Sequence, residues 1–160
     1  MTRRIPQSQD EWFQCAVRYL ARFDRTAVQV ERFLRRKGAS PSCVESTTRR
    51  LRQLRYLDDA AFAKRWVESR LARYPVGKER LNAELLRSGL SDALAAEVIR
   101  ETFQSIDEET LAREALRSRV CKGRQLSLRQ QAAFLRRRGF DEEIIERMIE
   151  RSIESKDSDV

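Results

Sequence analysis

The chain has 160 residues, 41% hydrophobic and 36% charged, and its 33 Lys+Arg against 25 Asp+Glu leave a net charge of +8. That apolar share lets one domain or a short array of repeats bury a core, which excludes a wholly disordered chain. Five glycines and three prolines suit solvent-facing helices and exclude a turn-rich sandwich or barrel, so the expected fold class is all-α.

In chain order, the first helix is expected around Trp12, Phe13, Ala16, Val17 and Leu20, which recur at helical spacing. A second runs from an N-cap at Thr26 to Gly38, and a third starts at Ser40-Pro41. A fresh helix opens at Asp58-Asp59, whose carboxylates complement the N-terminal dipole, and carries Phe62, Trp66, Val67 and Leu71. Gly77 to Gly89 repeats the Thr26 to Gly38 pattern, and Ser91-Asp92 starts a helix with Leu94, Val98 and Ile99 on its apolar stripe. The third round begins at Asp107-Glu108-Glu109 with Leu111, Ala115 and Leu116. It continues from Ser127 to Gly139, and closes with Ile144, Ile145, Met148 and Ile149.

The repeat is clearest when the glycines are aligned. Gly38, Gly89 and Gly139 lie 51 and 50 residues apart. Leu34, Leu85 and Leu135 each stand four residues earlier, and each glycine is placed to take the left-handed conformation that ends a helix. A period near 50 with shared local chemistry predicts tandem units that cover one another's faces. The expected architecture is three tandem three-helix repeats, 1–57, 58–104 and 105–154, in an elongated, curved array of either hand. Residues 155–160 form a polar tail expected to fray.

No apolar stretch approaches the roughly 20 residues of a membrane span, and Met1 to Asp10 lacks the apolar segment of a secretory signal, so a cytoplasmic chain is expected. There is no histidine, the commonest general base and metal ligand near neutral pH. Cys15, Cys43 and Cys121 form no CxxC pair and are expected as small buried hydrophobes. Asp58 and Asp59 are adjacent on a helix and do not face each other, so capping explains them better than paired catalysis. Neither an enzyme nor a cofactor is expected.

The excess charge lies in residues 1–57, which hold 13 basic against 5 acidic residues; the rest is balanced. Such concentration favours an acidic partner, nucleic acid or an acidic protein surface. Arg35-Arg36-Lys37 and Arg136-Arg137-Arg138 sit at helix ends, where cations stabilise the last carbonyls, and a binding role for the first run is the other reading. Arg49, Arg50, Arg52 and Arg55 exceed what a helix end needs, and their guanidinium forks suit carboxylate or phosphate. Lys78 and Arg80 beside Gly77 lie at an anion-friendly helix N-terminus, but a lone Gly-Lys is not a phosphate loop. Tyr56, Leu57, Phe62 and Trp66 read as core.

Tyr56-Leu57-Asp58-Asp59-Ala60-Ala61-Phe62-Ala63, then Gly77-Lys78-Glu79-Arg80-Leu81, then Leu85-Leu86-Arg87-Ser88-Gly89-Leu90, together resemble the RecX family of regulators of the RecA recombinase. The resemblance extends over nearly the whole chain, to Phe134-Leu135-Arg136-Arg137-Arg138-Gly139-Phe140. It implies tandem three-helix repeats and a protein that lodges in the groove of a RecA filament as a monomer, slowing ATP turnover, strand exchange or filament extension. Family members often carry a glycine pair before the second helix of this unit, where Tyr74-Pro75-Val76-Gly77 keeps one.

A rival reading is a sequence-independent nucleic-acid-binding helical protein with weak single- or double-stranded DNA contact. Sequence-specific reading of a groove is disfavoured, because Asp141, Glu142, Glu143, Glu146 and Glu150 would repel phosphate from one candidate recognition helix.

Overall fold

The structure, a computed structural model, describes residues 6–119 and 126–157. Cys121 lies outside the described residues, as do positions 158–160 of the tail. Among the described residues there are nine helices and no strand, and no helix is long and apolar enough to cross a membrane. They run α1 (Gln9–Leu20), α2 (Ala27–Arg36), α3 (Pro41–Gln53), α4 (Asp59–Arg73), α5 (Lys78–Arg87), α6 (Asp92–Thr102), α7 (Glu108–Arg119), α8 (Leu128–Arg137) and α9 (Glu142–Asp157). The chain is an all-α helical repeat array. Helix α9 takes in Ser155 to Asp157, half of the tail expected to fray.

Local chemistry places the helix starts. Ser8, Thr26, Ser40, Asp58, Ser91 and Ser127 each accept a backbone N–H of the first turn on the side-chain oxygen, satisfying donors that have no partner within the helix. Thr26 with Gln29 and Ser127 with Gln130 form reciprocal capping boxes, the same device at equivalent positions of two repeats.

The helix ends follow one plan as well. Ala39, Leu90 and Phe140 donate their N–H groups to the carbonyls of Leu34, Leu85 and Leu135 at 3.1, 3.4 and 3.2 Å. The intervening glycines have φ of +94°, +90° and +77°. This reversal of the chain is the Schellman motif, which needs a residue tolerant of the left-handed region. It also carries each leucine inward, where all three are fully buried and each contributes about 2 kcal/mol of apolar burial.

Packing divides into three apolar clusters. Trp12, Val30, Leu34 and Leu51 centre the first, Val67, Val76, Leu81 and Leu85 the second, and Leu111, Leu135, Phe140 and Ile145 the third. Leu71 and Phe103 pack against both the second and the third. Two expectations change here. Tyr56 is 52% exposed, because the turn after α3 swings its ring outward, edge-on to Phe13 at 6.0 Å, and sends Leu57 inward instead. Cys15 and Cys43 are half-buried, at the margin of the first cluster.

Polar seams join successive units at equivalent positions. Ala27 N–H donates to Asp59 Oδ1 at 2.8 Å, and Lys78 N–H to Glu108 Oε1 at 3.3 Å. The first carboxylate of each long helix therefore caps the middle helix of the unit before it. Beside them Thr26 Oγ1 donates to the Ser88 carbonyl at 2.7 Å, while Gly77 N–H donates to the Arg138 carbonyl at 2.9 Å and Glu79 N–H to the Gly139 carbonyl at 3.1 Å.

Candidate partner-binding surface

Arg49, Arg50, Arg52 and Arg55 are all exposed but do not share one face. Arg49 reaches Glu45 one turn earlier at 2.5 Å, both side chains well exposed, a pairing worth little in water. Arg50 turns toward α1, where it bonds Asp10 at 2.5 Å and lies 4.2 Å from the Phe13 ring centroid, so it braces α3 against α1. Arg52 and Arg55 are exposed. Arg55 stands at φ +58°, the position glycine fills in the turns after α2, α5 and α8. Its neighbours make the same reversal: Arg55 N–H donates to the Arg52 carbonyl at 3.0 Å and Tyr56 N–H to the Leu51 carbonyl at 2.8 Å. A side chain in the left-handed region costs about 1 kcal/mol, and such outliers concentrate where function demands the side chain.

At the end of α2, Arg35 bonds Glu31 at 3.5 Å, Lys37 sits 5.9 Å from the Phe33 ring centroid, and Arg36 is exposed. This run and the Arg49 to Arg55 run flank α3, whose 13 residues span about 20 Å. They are two basic pads at opposite ends of one unit.

Lys78 and Arg80 are occupied differently. Lys78 bonds Glu108 at 2.8 Å across the seam. Arg80 donates to Glu84 at 2.9 Å and to the Arg137 carbonyl at 3.1 Å. Arg70 grips the same carboxylate at 3.0 Å. Burial pushes the Glu84 carboxyl up, but hydrogen bonds and charge from Arg70 and Arg80 outweigh it and hold the group below the usual carboxylate range. Arg138, bonded to the Pro75 carbonyl at 3.3 Å, is pushed down by burial and then by the charges of Arg80, Arg70 and Arg119. The second seam is thus rich in guanidinium groups, two of which share the Glu84 carboxylate.

Helical periodicity passes over a pair of rings. Phe23 is 66% exposed and Tyr74 56%. Both stand three residues before the N-cap of a middle helix, 51 residues apart. Each carries a guanidinium on its face: Arg25 Cζ lies 5.2 Å from the Phe23 centroid and Arg70 Cζ 5.4 Å from that of Tyr74. The repeat period that locates the glycines also marks these rings once it is applied to the loops.

Comparisons with known proteins agree on one family. A model described as the second three-helix domain of RecX matches residues 58–99. Regulatory protein RecX of Treponema pallidum strain Nichols is 33% identical over 136 residues, covering 85% of this chain and 73% of that protein. Regulatory protein RecX of Amycolatopsis mediterranei strain U-32 is 34% identical over 120 residues, 72% of this chain and 68% of that protein. The crystal structure of RecX from Lactobacillus salivarius has the same fold, with a TM-score of 0.79 over 89% of this chain and 95% of that one, at 18% identity.

Proposed function

The chain belongs to the RecX family of regulatory proteins, and from that premise we propose that it regulates the RecA recombinase, mainly by inhibition. It binds in the groove of the RecA–DNA filament and reduces ATP turnover, strand exchange and filament extension. No chemistry of its own is required.

The observation that carries the reading is the basic end of the first unit, where Arg55 keeps a charged side chain at a strained backbone position beside exposed Arg49 and Arg52. The proposed contact surface is Arg49, Arg52 and Arg55, with Arg35, Arg36 and Lys37 as a second pad. Arg50, Lys78 and Arg80 complete the proposed set of contact residues, and each also pairs with a carboxylate, Asp10, Glu108 and Glu84 in turn. Guanidinium groups of this kind match carboxylates of a protein groove through paired donors.

The test is the single-stranded-DNA-dependent ATPase of the cognate RecA, titrated with this protein. Wild type should inhibit well below the concentration that coats naked DNA. Arg49→Glu/Arg52→Glu/Arg55→Glu, which leaves the Arg50 brace intact, should lose inhibition with circular dichroism unchanged. Undiminished inhibition by that variant removes the surface from the proposal, and no inhibition by wild type removes RecA.

A further inference from the structure

We propose that the turn around Gly38, at the end of α2, is a docking site for the first turn of an acidic helix on the recombinase. This site rests on the recombinase reading and names what its second basic pad, Arg35 to Lys37, would meet.

The two seams display what such a turn is built to hold. In each, the turn that ends the middle helix of the later unit is covered by the first turn of the middle helix of the earlier one. At the start of α2, Thr26 Oγ1 donates to the Ser88 carbonyl at 2.7 Å, and Val28 lies over Gly89, 2.7 Å from where a Cβ would stand. At the start of α5, Gly77 N–H donates to the Arg138 carbonyl at 2.9 Å and Glu79 N–H to the Gly139 carbonyl at 3.1 Å, while Arg80 lies over Gly139. The common element is a helix start, with donors not used within its own helix and aimed at the carbonyls of the reversal. Gly38 closes α2 with the same backbone bonds and a positive φ, yet no described atom lies within 4 Å of a Cβ placed there. It is exposed, where Gly89 is half-buried and Gly139 buried.

Charge selects what can cover this turn. In the filled seams the later unit gives a carboxylate to the incoming helix start, Asp59 to Ala27 N–H and Glu108 to Lys78 N–H. Gln9 holds the equivalent first position of α1, and its amide is turned to Ser46 at 2.6 Å. The carboxylates that follow are committed, Asp10 to Arg50 and Glu11 to the Gln7 N–H. Arg36 and Lys37, beside the turn, have no carboxylate partner among the described residues. A helix start that docks here must therefore bring its own carboxylates, which also suit its dipole. A second copy of this chain does not fit. The start of α8 carries Arg129, a cation that Arg36 and Lys37 repel. It also has Phe134 at the place where α5 has Glu84, the carboxylate that neutralises Arg70 and Arg80.

The test uses the full chain and the cognate RecA filament on single-stranded DNA, with ATPase inhibition as the readout. Gly38→Asn keeps a residue that tolerates the left-handed region and adds a side chain where the free protein has room, so its thermal melt should stay close to wild type. Its half-inhibitory concentration should rise by about tenfold or more, the scale of one well-packed interface contact. Gly89→Asn, whose Cβ would meet Val28, should instead lower the melting temperature. Arg36→Glu, exposed and on an unaltered turn, should weaken inhibition too and decides the case independently of any strain at position 38. A photo-crosslinking amino acid at position 36 should attach to the recombinase within the first turn of a helix that carries Asp or Glu. Wild-type inhibition by Gly38→Asn or by Arg36→Glu overturns the docking site and leaves the recombinase reading standing. Attachment to a strand, or to another copy of this chain, overturns the helix start as occupant. No inhibition by the wild-type chain removes the recombinase reading itself, and this site with it.

Discussion

At the seam between the first two units a threonine hydroxyl, Thr26, meets the Ser88 carbonyl, and the Val28 side chain fills the space over Gly89. At the seam between the second and third units the same two places are held by main chain on main chain, with Gly77 against Arg138 and Gly139. A Cβ on Gly77 would lie 2.1 Å from the Gly139 carbonyl oxygen. Within the second unit the Arg70–Glu84–Arg80 bridge holds Arg80, whose guanidinium also donates to the Arg137 carbonyl across this seam, and the apolar pair Leu71 and Phe103 is shared by two clusters. One repeat geometry is thus achieved by side chains in one place and by their absence in the other. The first seam should tolerate substitution gradually, and the second should fail at a single methyl group.

The largest effect tests that contrast directly. Gly77→Ala forces backbone apart and should cost about 3 kcal/mol or more, read as a drop in denaturant midpoint with loss of hydrogen-exchange protection at the Gly77 and Glu79 amides. A cost under about 1 kcal/mol, the range of a well-tolerated swap, would show that the second seam is as forgiving as the first. Thr26→Ala, its counterpart, removes a cap and a seam bond and should cost about 1 to 2 kcal/mol.

Glu84→Gln sharpens the electrostatic half of the comparison. Losing charge-assisted bonds from two arginines should cost about 1 to 2 kcal/mol at neutral pH. The folded-state carboxyl is held below its ordinary value of 4.5, so its contribution is fully present above that value and fades as pH falls through the lower folded one. The gap between wild type and Glu84→Gln in thermal melts should therefore close as pH drops below about 4.5. A gap that stays constant through that acid range would mean that the bridge contributes through shape and not through charge. The smallest change has the opposite sign: Arg55→Gly should raise stability by about 0.5 to 1 kcal/mol while weakening partner binding, a trade that marks a side chain kept for function.

Much of the fold is legible in the sequence. Caps such as Ser40 and Ser91, the glycine stops and the apolar stripes are local chemistry within a dozen residues, and they place the helices to within a few positions. The seams are not legible. That Asp59 caps α2, or that Gly77 is needed for close approach and not for its turn, depends on residues roughly 30 to 60 positions away. Helical spacing puts Tyr56 in the core only when it is extended across a turn in which Arg55 reverses the chain. Phe23 and Tyr74 escape a search for stripes because loops carry no periodicity of their own.

The three separate apolar clusters bear on how damage spreads. The first cluster, around Leu34, shares no residue with the other two, so a cavity there reaches the second unit mainly through a few seam contacts, whereas Leu71 and Phe103 tie the packing of the second unit to that of the third. A lesion such as Leu34→Ala should open the first unit locally and leave the other two standing. Inheritance can then act on one unit at a time: the basic end can drift, weaken or be retuned for a new surface while the remainder of the array keeps its shape.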